Sequence, residues 1–364
     1  MIPVSKPDLG VQEINAAIRV LESGRLSDGQ ETSKFQDEFR NFTRTGYCSM
    51  VSNGTLALES VLRAYKIGKG DEVIVPPLTF FATIEAVMNV GAKPVFADIR
   101  EDTWNIVDES IEEKITKKTR AIIPVHIFGN PCEIPWHQTW LSDKFSVIKI
   151  IEDCAQAHGS KIRGNSVGKN NGCWSFYATK NMTTGGEGGA ITTNDPDVYS
   201  FVSKYKNHGM IDRDTHHILG TNGRMSEMEA AIGRVQLSRL EEMNRVRKIQ
   251  VEYMKDKLKS VSWLKPQRIL PNHESCYFWN AFWVDEEKVG YTTKGLVDFL
   301  KNFLGIETRY RYTEPLYNQP LFRGEMIEKL PNAEKICGKV IGLPCGTHLK
   351  PEELDYIVDN IKKI

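Results

Sequence analysis

An α/β fold is predicted, with a large domain on a mainly parallel central sheet flanked by helices and a small C-terminal α+β domain. Three features of the sequence predict it. From about residue 50 to 195, short apolar runs alternate with helical patterns, the signature of stacked βαβ units. Those runs show little polar alternation, as strands covered on both faces require. Past about residue 250 the rhythm stops, and an aromatic strand pattern and separate helix patterns follow.

The strand candidates are Val73-Ile74-Val75, Val95-Phe96-Ala97, Ala121-Ile122-Ile123 and the run from Val147 to Ile151. Between them, Ala57, Leu58, Val61, Leu62 and Tyr65 fall on one helical stripe while Glu59 and Arg63 face away, so a helix starts at Gly54-Thr55. A second helix is expected over Ala82 to Asn89. A long one, rich in Glu, Arg, Leu and Met, is expected from Ser226 to about Arg247, where it carries the chain out of the first domain. The division therefore falls at 1–247 and 248–364. In the second part, Tyr277 to Asp285 reads as a strand, Thr293 to Phe303 as a helix, and Pro351 to Ile364 as a closing helix with proline in its first turn.

Composition narrows the function. At 364 residues the chain is long enough for two domains and a deep site. Lysine plus arginine and aspartate plus glutamate both number 47, and no basic block is interleaved with aromatics, which argues against a nucleic-acid partner. The 7 cysteines are odd in number, scattered and free of Cys-x-x-Cys pairs, as expected of reduced thiols in a cytoplasmic protein. No stretch approaches the roughly 18 apolar residues that span a bilayer, so no membrane role is expected. The 8 histidines offer no metal-ligand spacing, and no metal is expected; His126, His158 and His208 read as structural or substrate-contacting.

Three separate segments carry chemistry. Lys180 lies in Ser175-Phe176-Tyr177-Ala178-Thr179-Lys180-Asn181, just before Gly185-Gly186-Glu187-Gly188-Gly189. Those glycines permit close backbone approach or turns with positive φ, but they lack the order and the preceding strand of a dinucleotide loop. Asp153 follows a strand, at the carboxyl end where open parallel sheets bind ligands; it suits a protonated ring nitrogen as well as a simple loop cap. Gln156 lies three residues on. Gly54-Thr55 opens a helix, whose free N–H groups and dipole suit a phosphate, although plain N-caps read the same way. Ser175 adds a second hydroxyl if the fold brings it near. An imine-forming lysine, an acid for a basic ring nitrogen and a phosphate site together match the needs of an aldehyde cofactor such as pyridoxal 5'-phosphate (PLP).

As a set, these segments resemble the DegT/DnrJ/EryC1/StrS sugar aminotransferase family of fold-type I PLP enzymes. The resemblance runs from Ser23 to Gly29 through Ser52 to Leu58, Thr79 to Thr83, Pro124 to Asn130, Glu152 to Gly159, Ser175 to Gly189, Asn207 to Gly209 and Asn222 to Met225, ending near Leu343-Pro344. It implies that Lys180 is the Schiff-base lysine and that Asp153 meets the ring nitrogen. Gln156 would meet the phenolic oxygen, with Phe80 and Ala155 on the ring faces. Gly54, Thr55 and Ser175 would hold the phosphate, with Asn222 reaching in from the neighbouring subunit, so a homodimer with a shared active site is expected.

The resemblance further implies transfer of an amino group from an amino acid, glutamate in most of the family, to a nucleotide-linked keto-deoxy sugar in glycan or antibiotic sugar synthesis. A lysine at 180, where sugar dehydratases of the family carry histidine, favours transamination. Thr183-Thr184-Gly185-Gly186-Glu187-Gly188-Gly189 resembles 4-keto sugar enzymes in its residues and 3-keto enzymes in its length, and the 4-keto assignment is preferred. The alternatives are a keto-cyclitol aminotransferase and a non-catalytic PLP-binding regulator. Thr308-Arg309-Tyr310-Arg311-Tyr312 reads either as a sugar or phosphate contact or as a solvated strand.

Overall fold

The computed structural model describes residues 1–27, 29–133 and 148–364. Helices α1 (Val11–Ser23) and α2 (Gln30–Thr43) precede strand β1 (Tyr47–Val51), helix α3 (Gly54–Ala64), β2 (Glu72–Val75), α4 (Ala82–Asn89), β3 (Lys93–Phe96), α5 (Asp108–Lys114), β4 (Thr119–Ile122) and β5 (Lys149–Ile150). A hairpin of β6 (Lys161–Ile162) and β7 (Asn165–Ser166) leads to β8 (Gly172–Ser175), β9 (Gly189–Thr193), α6 (Pro196–Tyr205) and the long α7 (Glu227–Lys257).

Strands β3, β2, β4 and β5 pair in that order, all parallel. Single-residue parallel bridges from Asp153 to Val125 and to Cys173 link them to β8. Beyond β8 lie β9 and β1, with β9 antiparallel to both neighbours. The result is the expected mainly parallel sheet. Val73, Ile74, Val75, Ala121, Ile122 and Ile123 are fully buried, which is why they read as unbroken apolar runs. β3 departs from that expectation: it is the edge strand, begins at Lys93 and is only partly covered. Val147, the expected start of the strand before Asp153, lies outside the described residues.

The C-terminal part holds β10 (Leu264–Pro266), β11 (His273–Glu274), β12 (Asn280–Val284), α8 (Glu286–Val289), α9 (Thr293–Leu304), β13 (Arg309–Tyr310), α10 (Pro331–Ile336), β14 (Val340–Leu343) and α11 (Pro351–Ile361). Its antiparallel sheet runs β10-β12-β14-β13. Two expected boundaries shift. The strand expected from Tyr277 begins at Asn280, because Tyr277 sits at φ 48° and breaks the extended backbone. Helix α7 continues ten residues beyond Arg247, starting from a Ser226–Glu229 capping box. One buried cluster joins Val51, Val75 and Leu78 to Trp279, Ala281 and Val340. Another packs Ile2 with Phe282, Leu300 and Ile357, so the N-terminus is anchored in the C-terminal part.

Candidate active site

Asp153 stands just past the end of β5. It is 6 % exposed, and Thr83 donates its hydroxyl to Oδ2 at 2.8 Å while the Ala155 N–H donates to Oδ1 at 3.1 Å. Burial raises its pKa, against the lowering pull of those hydrogen bonds and of Lys180. Such a carboxylate lacks a full complement of positive partners, which a protonated ring nitrogen would supply.

Lys180 follows a turn in which its N–H donates to the Tyr177 carbonyl at 2.9 Å. It is half-buried, with Nζ 4.8 Å from the centroid of the Phe278 ring. Burial lowers its pKa to about 8, Asp153 pulling upward and Arg309 pushing further down. The amine is therefore far closer to its nucleophilic form near neutrality than a surface lysine. Gly185, at φ 95°, lies in the left-handed region that its expected turn role requires.

The anion site forms where three strands end together. Ser175 of β8 pairs with Gly189 of β9, which pairs with Val51 of β1, and α3 begins three residues after Val51. Asn53 itself is the cap, its Oδ1 accepting from the Leu56 N–H at 2.8 Å. Gly54 and Thr55 are the first helical residues, and their N–H groups have no partner within the helix. A Cβ on Gly54 would come within 2.8 Å of the Ser175 Cβ, so only glycine lets the helix start and the serine converge. That cradle fits a phosphate.

Gln156 is buried; its Oε1 accepts from the Phe128 N–H at 2.8 Å and one Nε2 hydrogen goes to the Tyr312 hydroxyl at 3.3 Å. The second Nε2 hydrogen stays available. Phe80, just before α4, is 53 % exposed. Asn222 is exposed beside Gly223, whose carbonyl accepts from the Ser52 N–H at 2.9 Å, so the Asn222 backbone borders the start of α3 in its own chain.

Four participants were not singled out by sequence reasoning. Thr83 and Thr79, linked at 2.9 Å, hold Asp153 in place; both belong to the Thr79–Thr83 segment, whose order was the available signal. Phe278 supports Lys180 from about a hundred residues away, and Ser5, whose hydroxyl accepts from Arg309 Nη2 at 2.6 Å, carries no sequence cue. Other polar groups are structural. Glu152 accepts from the Gly168 and Asn170 N–H groups at 2.8 and 2.7 Å, and from His126 at 3.2 Å. The Cys132 N–H donates to His126 Nδ1, so the imidazole proton sits on Nε2 and points at Glu152. His126, Glu152 and Cys154 are the one group of metal-type ligands among the described residues, but the carboxylate is already taken up by these donors. His158 is buried between Trp174 and Phe176, and its pKa falls to about 3 through burial first and the Lys180 charge second. In the segment Thr308 to Tyr312, Arg309 and Tyr310 form β13 and are half-buried, while Arg311 is exposed.

A mainly parallel sheet that brings a lysine, a buried acid and an anion-sized cradle to its strand ends matches the fold-type I PLP-dependent transferases. The chain belongs to the DegT/DnrJ/EryC1/StrS aminotransferase family, whose model matches residues 7–362. It is 35 % identical over 371 residues to GDP-perosamine synthase of Escherichia coli O157:H7, covering 100 % of this chain and 98 % of that one. It is 34 % identical over 360 residues to the dTDP-3-amino-3,4,6-trideoxy-alpha-D-glucose transaminase of Streptomyces venezuelae, covering 96 % and 92 %. A Streptococcus pneumoniae protein solved in its PLP form superposes with a TM-score of 0.92 at 28 % identity, over 100 % of this chain and 98 % of that one. The same protein has also been solved in its PMP form. The chain is thus a PLP-dependent sugar aminotransferase. Among the described residues, no helix is long and apolar enough to cross a membrane.

Proposed function

We propose that this enzyme moves an amino group from glutamate to a nucleotide-linked keto-deoxy sugar, at a 4-keto position in preference to a 3-keto position, in the cytoplasm. The observation that carries the reading is Lys180: a half-buried amine whose pKa burial lowers to about 8, facing the charge of buried Asp153. Bound PLP supplies the electron sink that makes the donor's Cα–H acidic. Asp153 would keep the ring nitrogen protonated, and Gln156 would donate its free N–H to the phenolic oxygen. Gly54, Thr55 and Ser175 would hold the phosphate, with Phe80 and Ala155 against the ring faces.

Lys180 has two tasks: holding the cofactor aldehyde between turnovers and, once displaced by the donor, carrying the proton away from Cα as a free amine. Its position against Phe278 fixes the amine while keeping it partly dry. In this reading two chains form a homodimer and Asn222 of each reaches the other's phosphate site. The division near residue 247 remains a proposal as well, with α7 as the rigid connector. The relatives named above act on nucleotide sugars and match nearly the full chain, which supports that substrate class over a keto-cyclitol.

Mass spectrometry of products tests the reading, with glutamate as donor and a panel of 3-keto and 4-keto nucleotide sugars and a keto-cyclitol. The expected product is an amino sugar from a 4-keto nucleotide sugar. Amination of the cyclitol alone, or of nothing in the panel, contradicts it.

A further inference from the structure

We infer that Tyr312 is a positioning residue that aims the Gln156 amide at the cofactor's phenolic oxygen, so that this contact depends on the docking of the two sheets; the inference rests on the role given to Gln156 above. Gln156 follows β5 of the parallel sheet, and Tyr312 follows β13 of the antiparallel one. They stand 156 residues apart in the chain, yet Gln156 Nε2 donates to the Tyr312 hydroxyl at 3.3 Å.

The orientation of the amide is settled at its other end. The Phe128 N–H can only donate and lies 2.8 Å from Gln156 Oε1, so the oxygen faces Phe128 and the NH2 group faces Tyr312. An anchor on the oxygen alone fixes one atom of the group. A second anchor on the nitrogen fixes its plane, and the remaining Nε2 hydrogen then has one direction.

Each anchor is itself held. Phe128 has φ 58°, in the left-handed region that a phenylalanine rarely adopts, and its ring stacks on Trp279 with centroids 4.4 Å apart and planes 13° from parallel. The Tyr312 ring lies 6.3 Å from the Phe128 ring and 16° from parallel to it. The Tyr312 carbonyl accepts from the Gly338 N–H at 2.7 Å, within the C-terminal part. A little further on, the Leu316 N–H donates to the Pro77 carbonyl at 3.0 Å, which ties the segment to the stretch leading into Phe80. Burial pushes the Tyr312 phenol up, with the Gln156 hydrogen bond pulling the other way, so the hydroxyl stays neutral and keeps its acceptor lone pairs.

The chemical consequence follows from the phenolic oxygen. A donor there draws off negative charge that otherwise helps to hold a proton on the Lys180 nitrogen. Aiming the amide therefore strengthens PLP binding and lowers the pH at which the loaded enzyme gives up that proton. Tyr312 does this through Gln156, without itself touching the oxygen.

The test has two readouts: the pH midpoint of the visible absorbance of PLP-loaded protein, and PLP affinity from fluorescence titration of the apoprotein. Both are measured for wild type, Tyr312→Phe, Gln156→Met and the double variant. Tyr312→Phe keeps the stacked ring and removes the acceptor; it should raise the midpoint by about 0.3 pH unit and weaken PLP about 2-fold. Gln156→Met should raise the midpoint by about 0.7 unit and weaken PLP about 5-fold. The double variant should match Gln156→Met, because the hydroxyl acts through the amide. A wild-type midpoint in Tyr312→Phe, with or without a loss of affinity, overturns the inference and leaves the role of Gln156 standing. So does a double variant in which the two shifts add. If Gln156→Met changes neither readout, the role given to Gln156 fails and this inference fails with it. Should Gln156→Met not fold, the midpoint of Tyr312→Phe alone decides.

Discussion

Thr83 donates its hydroxyl hydrogen to Asp153 at 2.8 Å, and because that hydroxyl has only one hydrogen, its 2.9 Å contact with Thr79 must be accepted from Thr79. The direction of the whole chain is fixed, from Thr79 to Thr83 to Asp153. Two fully buried threonines on one turn before and within α4 thereby hold an acid about seventy residues away.

Asp153→Asn removes a charge that burial disfavours, but its single acceptor oxygen can keep only one of the Thr83 and Ala155 hydrogen bonds, so the two effects on stability oppose each other. Turnover should fall about a hundredfold or more, because a neutral amide cannot hold a ring nitrogen protonated. Stability of the apoprotein should stay within about 2 kcal/mol of wild type. Urea denaturation of the apoprotein and steady-state kinetics of the holoenzyme check the pair; full activity in the variant contradicts the role.

The pH dependence of cofactor capture follows from Lys180. Its pKa is depressed from 10.5 to about 8, so the neutral amine grows tenfold per pH unit below about 8 and levels off above it. Rapid-mixing absorbance of apoprotein with PLP should show that profile. Arg309→Ala should move the plateau to higher pH, since the Arg309 charge helps hold the lysine down. A half-point near 10.5 in the wild-type protein contradicts the assignment.

Gly54→Ala places a methyl 2.8 Å from the Ser175 Cβ, and the start of α3 has to move away. The first-turn N–H groups move with it. PLP affinity should drop about tenfold, or 1.4 kcal/mol, with the covalent chemistry at Lys180 intact. Fluorescence titration of apoprotein checks this, and wild-type affinity in the variant contradicts a phosphate site there.

Glu152→Gln should act on stability. The glutamine has one acceptor oxygen for three donors, and the His126 Nε2–H loses its anionic partner. A loss of about 2–4 kcal/mol is expected, read from denaturation midpoints. Glu152 has its pKa lowered by His126 and the two backbone donors, so its contribution is present above the unfolded carboxylate pKa and disappears as pH falls through the lower folded one.

The parallel sheet was legible because its central strands are buried on both faces, which leaves no room for polar residues to blur the pattern. The positions of Asp153 and Lys180 are legible for a local reason, one just past a strand end and the other ahead of a glycine-rich turn. The supporting contacts were not. Thr83 to Asp153, Lys180 to Phe278 and Ser5 to Arg309 join residues far apart in sequence, and no local pattern records a long-range contact. The end of α7 is not legible in the sequence because Gln236, Arg247 and Gln250 are polar yet buried, so the apolar stripe that marks a packed helix face weakens there. Tyr277 was read as strand because its aromatic side chain suits one, whereas its positive φ depends on tertiary packing.

Borohydride reduction of the PLP-loaded enzyme, followed by peptide mass spectrometry, tests the central claim most directly. The account predicts a phosphopyridoxyl group on the peptide carrying Lys180 and on no other, with none in Lys180→Ala. A label on a different lysine, or a protein that retains none, would contradict it.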